Sequence, residues 1–122
     1  GNAGNDIAFL RYADILLIKA EALARGAKGG SLEQARTIIN EQIRDRSNAD
    51  PLPTLTLDDI LDERGRELAF EMQRRRDLIR FGKFGNTWEF KAASEPYRTI
   101  FPIPKTAIEA NPKLNQNPGY PQ

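Results

Sequence analysis

Two glutamates, Glu63 and Glu67, lie one helical turn apart in an arginine-rich segment that spans residues 60–84. Paired carboxylates could serve as the acid and the base of glycoside hydrolysis. They could equally form bidentate ion pairs with the neighbouring arginines and so attach a helix to the rest of the fold. We favour the structural interpretation, because ion pairing stabilises the charged carboxylate, whereas a general acid must hold its proton near neutral pH.

The composition excludes most other catalytic chemistry. The 122 residues contain no cysteine and no histidine, which excludes disulfides, thiolate metal sites, a cysteine nucleophile and the usual proton shuttle. We therefore expect no enzyme activity, no cofactor and no metal. The formal net charge is +1, so we expect no nucleic-acid partner, and the basic run at residues 73–80 is predicted to be an ordinary charged helix face.

Trp88 is the only tryptophan, and it lies in the segment NTWEFK, where the helical pattern has ended. With Phe90 and Tyr97 it could form a platform on which a sugar ring stacks. The same residues could instead pack as a small satellite core under a loop. We name Trp88 as the candidate ligand-binding residue, on its aromatic chemistry alone.

The first half of the chain predicts a pair of helices. Apolar residues recur at three- and four-residue steps from residue 7 to Ala24, and glycines at positions 26, 29 and 30 end this helix. Ser31 and Gln34 form a capping box that starts a second helix. Its apolar stripe contains Ala35, Ile38, Ile39 and Ile43. Residues 7–46 are therefore predicted to form an αα-hairpin of the tetratricopeptide type, and residues 1–6 a linker or an expression scar.

The second half predicts a long helix followed by an irregular tail. Thr56 and Asp59 form another capping box, and the helical pattern then runs to Gly82. We predict one helix over residues 56–82, with Gly65 permitting a bend or the close approach of another backbone. On this helix Arg64 would point to the apolar side, and Arg75 lies on the same predicted face.

Residues 83–122 are predicted to be loop and tail. They include an extended segment at residues 97–103 and one short helical turn that begins at a capping box of Thr106 and Glu109. The predicted fold class is thus all-α: a tetratricopeptide-like αα-hairpin, a long helix and an irregular, extended carboxy-terminal tail. Residues 7–122 are expected to form one helical domain.

Three motifs, in this order, resemble the carboxy-terminal part of the SusD/RagB family. They are RYADILLIKAEAL, ILDERGRELAFEMQRRRDLIRFGKF and FPIPKTAIEANPKLNQNPGY. The resemblance implies that the motif residues are architectural, including FPIP at 101–104 and QNPGY at 116–120. It implies a structural ion-pair network that clamps the long helix to the hairpin and the tail: Glu63, Arg64, Glu67, Glu71, Arg74, Asp77 and Arg80. Many members have glycine where Met72 stands, so Met72 is expected to fill that space.

The resemblance also implies a function. SusD-like proteins are nutrient-binding lipoproteins of Bacteroidetes, exposed on the outer membrane above a TonB-dependent β-barrel. This implies an oligosaccharide or another nutrient as ligand, a TonB-dependent transporter as partner, and a lipid anchor that is not in this chain. The alternative function is a helical protein–protein interaction scaffold without a ligand of its own.

Overall fold

The computed structural model describes residues 10–121, and the chain divides into two compact units at the junction of Arg74 and Arg75. The described residues contain helices and one isolated β-bridge, between Trp88 and Lys91, but no β-strand. This confirms the all-α class. None of the described helices is both long enough and apolar enough to cross a bilayer.

The first unit begins with α1, Tyr12–Ala24. Its buried residues follow three- and four-residue steps: Ala13, Leu16, Leu17, Ala20 and Glu21. The helix begins later than predicted, because Arg11 has extended backbone angles (φ −122°, ψ 139°) and is the N-cap. The rest of that prediction, over residues 7–9, and the predicted linker at residues 1–6 lie outside the described residues.

The second helix, α2, spans Leu32–Ile38 and begins at the predicted capping box. The Gln34 backbone N–H donates to Ser31 Oγ at 3.3 Å, and the Ser31 N–H donates to Gln34 Oε1 at 3.0 Å. The chain continues as a π-helical segment, Ile39–Arg44, and a 3-10 turn, Asp45–Ser47. The whole predicted stripe is buried and α2 packs on α1, which confirms the αα-hairpin.

The third helix, α3, spans Leu57–Glu67 and also begins at its predicted capping box. The prediction of a single helix to residue 82 is wrong, because α3 ends at Glu67 and α4 spans Arg74–Arg80. Between them, Phe70 and Met72 have positive φ values of 64° and 59°. This left-handed conformation cannot continue a right-handed helix.

The exposure of the side chains in this turn corrects the expected role of Met72. Its side chain is 96% exposed, so it fills no internal space. Glycine suits this position because it adopts positive φ without steric cost. Phe70, on the same turn, is fully exposed as well.

Arginine side chains stabilise the turn after α3. Arg11 Nη1 donates to the Glu67 carbonyl at 2.9 Å, so it binds one of the carbonyl groups that every helix end leaves without a helical partner. Arg74 Nη1 donates to the Leu61 carbonyl at 2.6 Å. A Cβ on Gly65 would lie 2.7 Å from Arg74 Nη1. Gly65 therefore permits the close approach of a guanidinium group rather than of another backbone.

The second unit begins in α4, whose last turn is followed by Gly82 with φ 69°. A loop follows, and a hydrogen bond of 3.0 Å from the Ser94 N–H to the Gly85 carbonyl closes it. At its tip, Trp88 and Lys91 exchange backbone hydrogen bonds of 3.0 and 2.8 Å. We call residues 88–91 the tip hairpin.

A 3-10 turn, Pro96–Thr99, and α5, Lys105–Ala110, flank an extended stretch of chain. The extended segment predicted at 97–103 is therefore correct only from residue 100 onward. The capping box of Thr106 and Glu109 is wrong, because α5 begins one residue earlier, after Pro104 as N-cap and with no side-chain cap. Proline has a fixed φ, here −55°, which already suits the start of a helix.

Side chains of the QNPGY motif hold the extended stretch in place. The Gln116 carboxamide accepts from the Ile103 N–H at 2.8 Å and donates to the Ile103 carbonyl at 2.9 Å. Asn117 Nδ2 donates to the carbonyl of residue 101 at 2.8 Å, and the Tyr120 hydroxyl donates to that of residue 100 at 2.7 Å. These side chains satisfy backbone groups as a neighbouring strand would.

We expect Met72→Gly to raise the free energy of unfolding by up to about 1 kcal/mol, because glycine removes the left-handed strain at this exposed site. Met72→Val should lower it, since a β-branched residue tolerates positive φ poorly. Urea denaturation would measure both. In a continuous helix, glycine would instead destabilise by about 1 kcal/mol.

Gly119→Ala should destabilise the second unit more than Gly82→Ala does. Both glycines have positive φ, but a Cβ at Gly119 would lie 2.4 Å from the Tyr97 ring, whereas a Cβ at Gly82 would meet no atom within 4 Å. Gly82→Ala should therefore cost about 1 kcal/mol, for backbone strain alone, and Gly119→Ala clearly more. Equal shifts of the thermal midpoint in the two variants would show that the contact with Tyr97 does not contribute to the loss of stability.

Candidate functional site

Arg64 and Asp77 are the most deeply buried charged residues among those described, each with 1% of its surface exposed. Arg64 lies on α3 in the first unit. Its Nη2 lies 2.8 Å from Asp14 Oδ1 on α1. The helical spacing placed Arg64 on the apolar side of α3, and the structure confirms that direction. The ion pair joins α3 to α1 inside the first unit.

The two glutamates that raised the possibility of catalysis are each bonded to two arginines. Glu63 Oε2 accepts from Arg44 at 2.8 Å and from Arg66 at 2.7 Å. The other glutamate, Glu67, is bonded through Oε1 at 2.6 Å to each of two guanidinium groups, those of residues 11 and 46. Arg44 ends the π-helical segment that continues α2, Arg46 lies in the 3-10 turn after it, and Arg11 caps α1. These pairs therefore attach α3 to both of the other helical segments.

The remaining members of the expected network also lie in ion pairs. Glu71 pairs with Arg11, and Arg74 Nη2 is 3.5 Å from Asp62 Oδ1. In the second unit, Arg80 Nη2 donates to Asp77 Oδ1 at 2.8 Å, and Asp77 is 1% exposed. All seven predicted residues therefore take part in charge pairs.

Most of the partners that the network uses lie outside the predicted set: Arg11, Asp14, Arg44, Arg46, Asp62 and Arg66. One signal in the sequence points to them. Glutamates four residues apart on a helix repel each other unless cations from elsewhere neutralise them. Which cations do so depends on the packing of the helices.

Arg11 joins the end of α3 to the start of α1. Burial on its own lowers the pKa of its guanidinium group, but hydrogen bonds to Glu71 and Glu67 outweigh that effect and raise the pKa above its ordinary value. Arg11 is therefore a permanent charge that binds two carboxylates and one helix-terminal carbonyl.

Arg75 is half-buried in the second unit and contacts two aromatic rings. Its guanidinium carbon lies 3.9 Å from the centroid of the Phe101 ring and 5.0 Å from that of Phe84. Its Nη2 donates to the carbonyl groups of residues 98 and 99, both at 3.1 Å. This cation–π arrangement anchors the FPIP segment within the unit.

Trp88, the candidate ligand-binding residue, is 46% exposed on the tip hairpin, and Phe90 beside it is 93% exposed. The Lys91 Nζ lies 4.4 Å from the centroid of the Trp88 ring and donates to the carbonyl groups of residues 86 and 92. Tyr97 instead packs edge-on against Tyr120, with ring centroids 4.8 Å apart. The exposed aromatic pair is thus Trp88 and Phe90, on a hairpin stiffened by Lys91.

Comparison with known proteins identifies the family. The SusD family model matches residues 1–93 and 82–120. The chain belongs to the SusD family. It is 36% identical over 125 residues to the starch-binding protein SusD of Bacteroides thetaiotaomicron, covering 94% of this chain and 22% of that protein.

This SusD-family chain also aligns with a solved SusD-superfamily structure from Bacteroides vulgatus, with a TM-score of 0.68 and 32% sequence identity. The alignment covers 93% of this chain and 28% of the solved chain. The chain therefore spans about a fifth to a quarter of the length of these relatives. The family resemblance inferred from the three motifs is confirmed.

Asp14→Asn should destabilise this SusD-family chain by about 3 kcal/mol, because it removes the negative charge beside a buried guanidinium group. Arg64→Leu should cost less, since a well-packed apolar side chain can replace a buried ion. Thermal and urea unfolding would compare them. Glu33→Gln, in an exposed i,i+3 pair with Arg36, is the matched control and should leave stability nearly unchanged. Equal, small effects at residues 14 and 33 would contradict the role given to the buried pair.

Proposed function

We propose that this chain is part of a cell-surface protein that binds oligosaccharides or other nutrients and delivers them to a TonB-dependent transporter of the outer membrane. The observation that carries the proposal is the 36% identity, over 94% of the chain, to a starch-binding protein. The family match over nearly the whole chain supports the same function. Family membership supports the proposed surface exposure on the outer membrane and the proposed transporter partner.

The chemistry of the charged residues also favours binding over catalysis. A glycosidase needs one carboxyl group that donates a proton, whereas Glu63 and Glu67 each accept hydrogen bonds from two guanidinium groups. We propose that the ion-pair network serves the architecture and has no catalytic role. SusD-family proteins are binding proteins rather than enzymes, which agrees with this assignment.

Trp88 is the proposed sugar contact within this chain. Aromatic faces bind the apolar faces of sugar rings, and an exposed tryptophan presents the largest such surface. The hairpin hydrogen bonds and Lys91 hold the ring before any ligand arrives, which lowers the entropy cost of binding. The exposed Phe90 extends the same apolar tip.

Titration calorimetry of the 122-residue chain with maltoheptaose, and then with xylan and mannan oligosaccharides, tests the proposal. Trp88→Ala should weaken binding about tenfold or more, and Trp88→Phe should retain most of it, because the loss comes from the ring surface. Tyr12→Ala removes another exposed aromatic residue, in the first unit, and should leave the affinity unchanged. Equal effects at residues 12 and 88 would remove Trp88 from the site, and a chain that binds none of these sugars would contradict the function.

A helical interaction scaffold is the second candidate, and the outer side of α1 favours it. Leu10, Tyr12, Ile15 and Ile18 are between 47% and 77% exposed, although apolar residues of this size usually lie against a neighbour. A pull-down from outer membranes with this chain as bait separates the candidates. Recovery of a TonB-dependent transporter by a chain that binds no sugar would favour the scaffold.

A further inference from the structure

The first helix, α1, is apolar on two opposite sides. One side is buried within the first unit, where it packs against α2 and α3. The other side carries residues at steps of three and four, all of them exposed: Tyr12, Ile15, Ile18, Lys19 and Ala22. We call these five residues the outer stripe. A helix that is apolar on both sides normally lies between two neighbours, and among the described residues the outer stripe has none.

The size of this surface points to a partner. Leu10, Tyr12, Ile15 and Ile18 are between 47% and 77% exposed. An aromatic side chain offers about 150–250 Å² and an aliphatic one somewhat less, so these residues leave roughly 500 Å² of apolar surface open to water. Patches of this size on a monomer are often functional. Two copies that covered each other's stripe would bury on the order of 1,000 Å², which is about the area that a specific interface needs.

The spacing of the outer stripe is complementary to itself. If two α1 helices pack antiparallel about a two-fold axis near the level of Leu17, Tyr12 of one copy lies opposite Ala22 of the other. Ile15 then lies opposite Ile18 and Lys19, and each contact occurs twice, as in any isologous interface. The largest residue of the stripe therefore meets the smallest, which lets facing helices interdigitate.

A parallel pair of α1 helices is less favourable. It would place Tyr12 against Tyr12 and Lys19 against Lys19, so that the one charged residue of the stripe would face a like charge. In the antiparallel pair each Lys19 lies against Ile15 of the other copy, and its ammonium group can extend to water at the edge of the interface. Antiparallel helices also bring opposite ends of their dipoles together.

We propose that the outer stripe of α1 is a self-association surface, through which two copies of this chain pack antiparallel as a weak, reversible dimer. An interface near the lower limit of size gives micromolar association rather than an obligate dimer. The proposal does not depend on sugar binding, because the stripe lies in the first unit and Trp88 in the second. It also differs from the scaffold candidate, since the occupant of the stripe is a second copy of the chain itself.

Sedimentation equilibrium of the 122-residue chain, from micromolar to millimolar concentration, tests the dimer. We expect a reversible equilibrium between one and two copies. Ile18→Glu should weaken association more than about tenfold, because each copy would bury an unpaired carboxylate in the interface. Since Ile18 is about half exposed in the single chain, the variant should fold normally, which circular dichroism checks.

Phe70→Asn is the matched control for this experiment. It removes a fully exposed aromatic ring from the same unit but not from the outer stripe. Asparagine tolerates the positive φ of this position, so the fold should be kept. We expect the association of this variant to stay within about twofold of that of the unchanged chain.

Disulfide cross-linking tests the antiparallel geometry. The chain has no cysteine, so the double variant Tyr12→Cys/Ala22→Cys can form only the disulfides that it introduces. The two positions are about 15 Å apart along one helix, which is too far for a bridge within one chain. Trypsin cuts between them at Lys19, so the antiparallel dimer should link the peptide that contains residue 12 to the peptide that contains residue 22.

Three results would overturn the dimer: a chain that stays monomeric at millimolar concentration, equal loss of association in Ile18→Glu and Phe70→Asn, and cross-links that join only like peptides. A monomeric chain that recovers a TonB-dependent transporter from outer membranes, and loses it on Ile18→Glu, would assign the stripe to another protein and so overturn the dimer as well. None of these results changes the sugar titration of Trp88 variants, so the proposed function is tested separately.

Discussion

The buried guanidinium group of Arg64 sets the main requirement of the first unit. A charge with 1% of its surface exposed is tolerated only where an opposite charge lies beside it, because removing either partner leaves a desolvated ion. Asp14 meets this requirement, so α1 and α3 must pack with one particular register and rotation. The apolar contacts of these helices could slide, whereas the ion pair could not.

Two other arginines bear on the place where the long amphipathic pattern breaks. Arg11 and Arg74 can bind the carbonyl groups of α3 only if the chain turns back after Glu67. That turn requires positive φ at Phe70 and Met72, a strained conformation for residues with side chains. The charge-assisted hydrogen bonds of the arginines offset the strain, since such bonds are stronger than neutral ones.

The two units hold their segments in place with different chemistry. The first joins its helices with arginine–carboxylate pairs, while the second holds an extended stretch with the side chains of Gln116, Asn117 and Tyr120. In both, the motif residues are engaged within the fold. Groups that can meet a ligand therefore lie at the edges of this architecture, as the exposed rings of the tip hairpin do.

The sequence by itself determined whatever depends on neighbouring residues. The capping boxes at Ser31 and Thr56, the stripe of the αα-hairpin and the inward direction of Arg64 are local, and each was read correctly from spacing. The break after α3 was missed, because residues 60–81 have unbroken helical periodicity. The contact that stabilises the turn comes from Arg11, which is 56 residues away from Glu67. The partners of Glu63 and Arg64 were likewise decided by tertiary structure. Long-range pairing depends on how helices pack, and residue spacing within one helix carries no information about that.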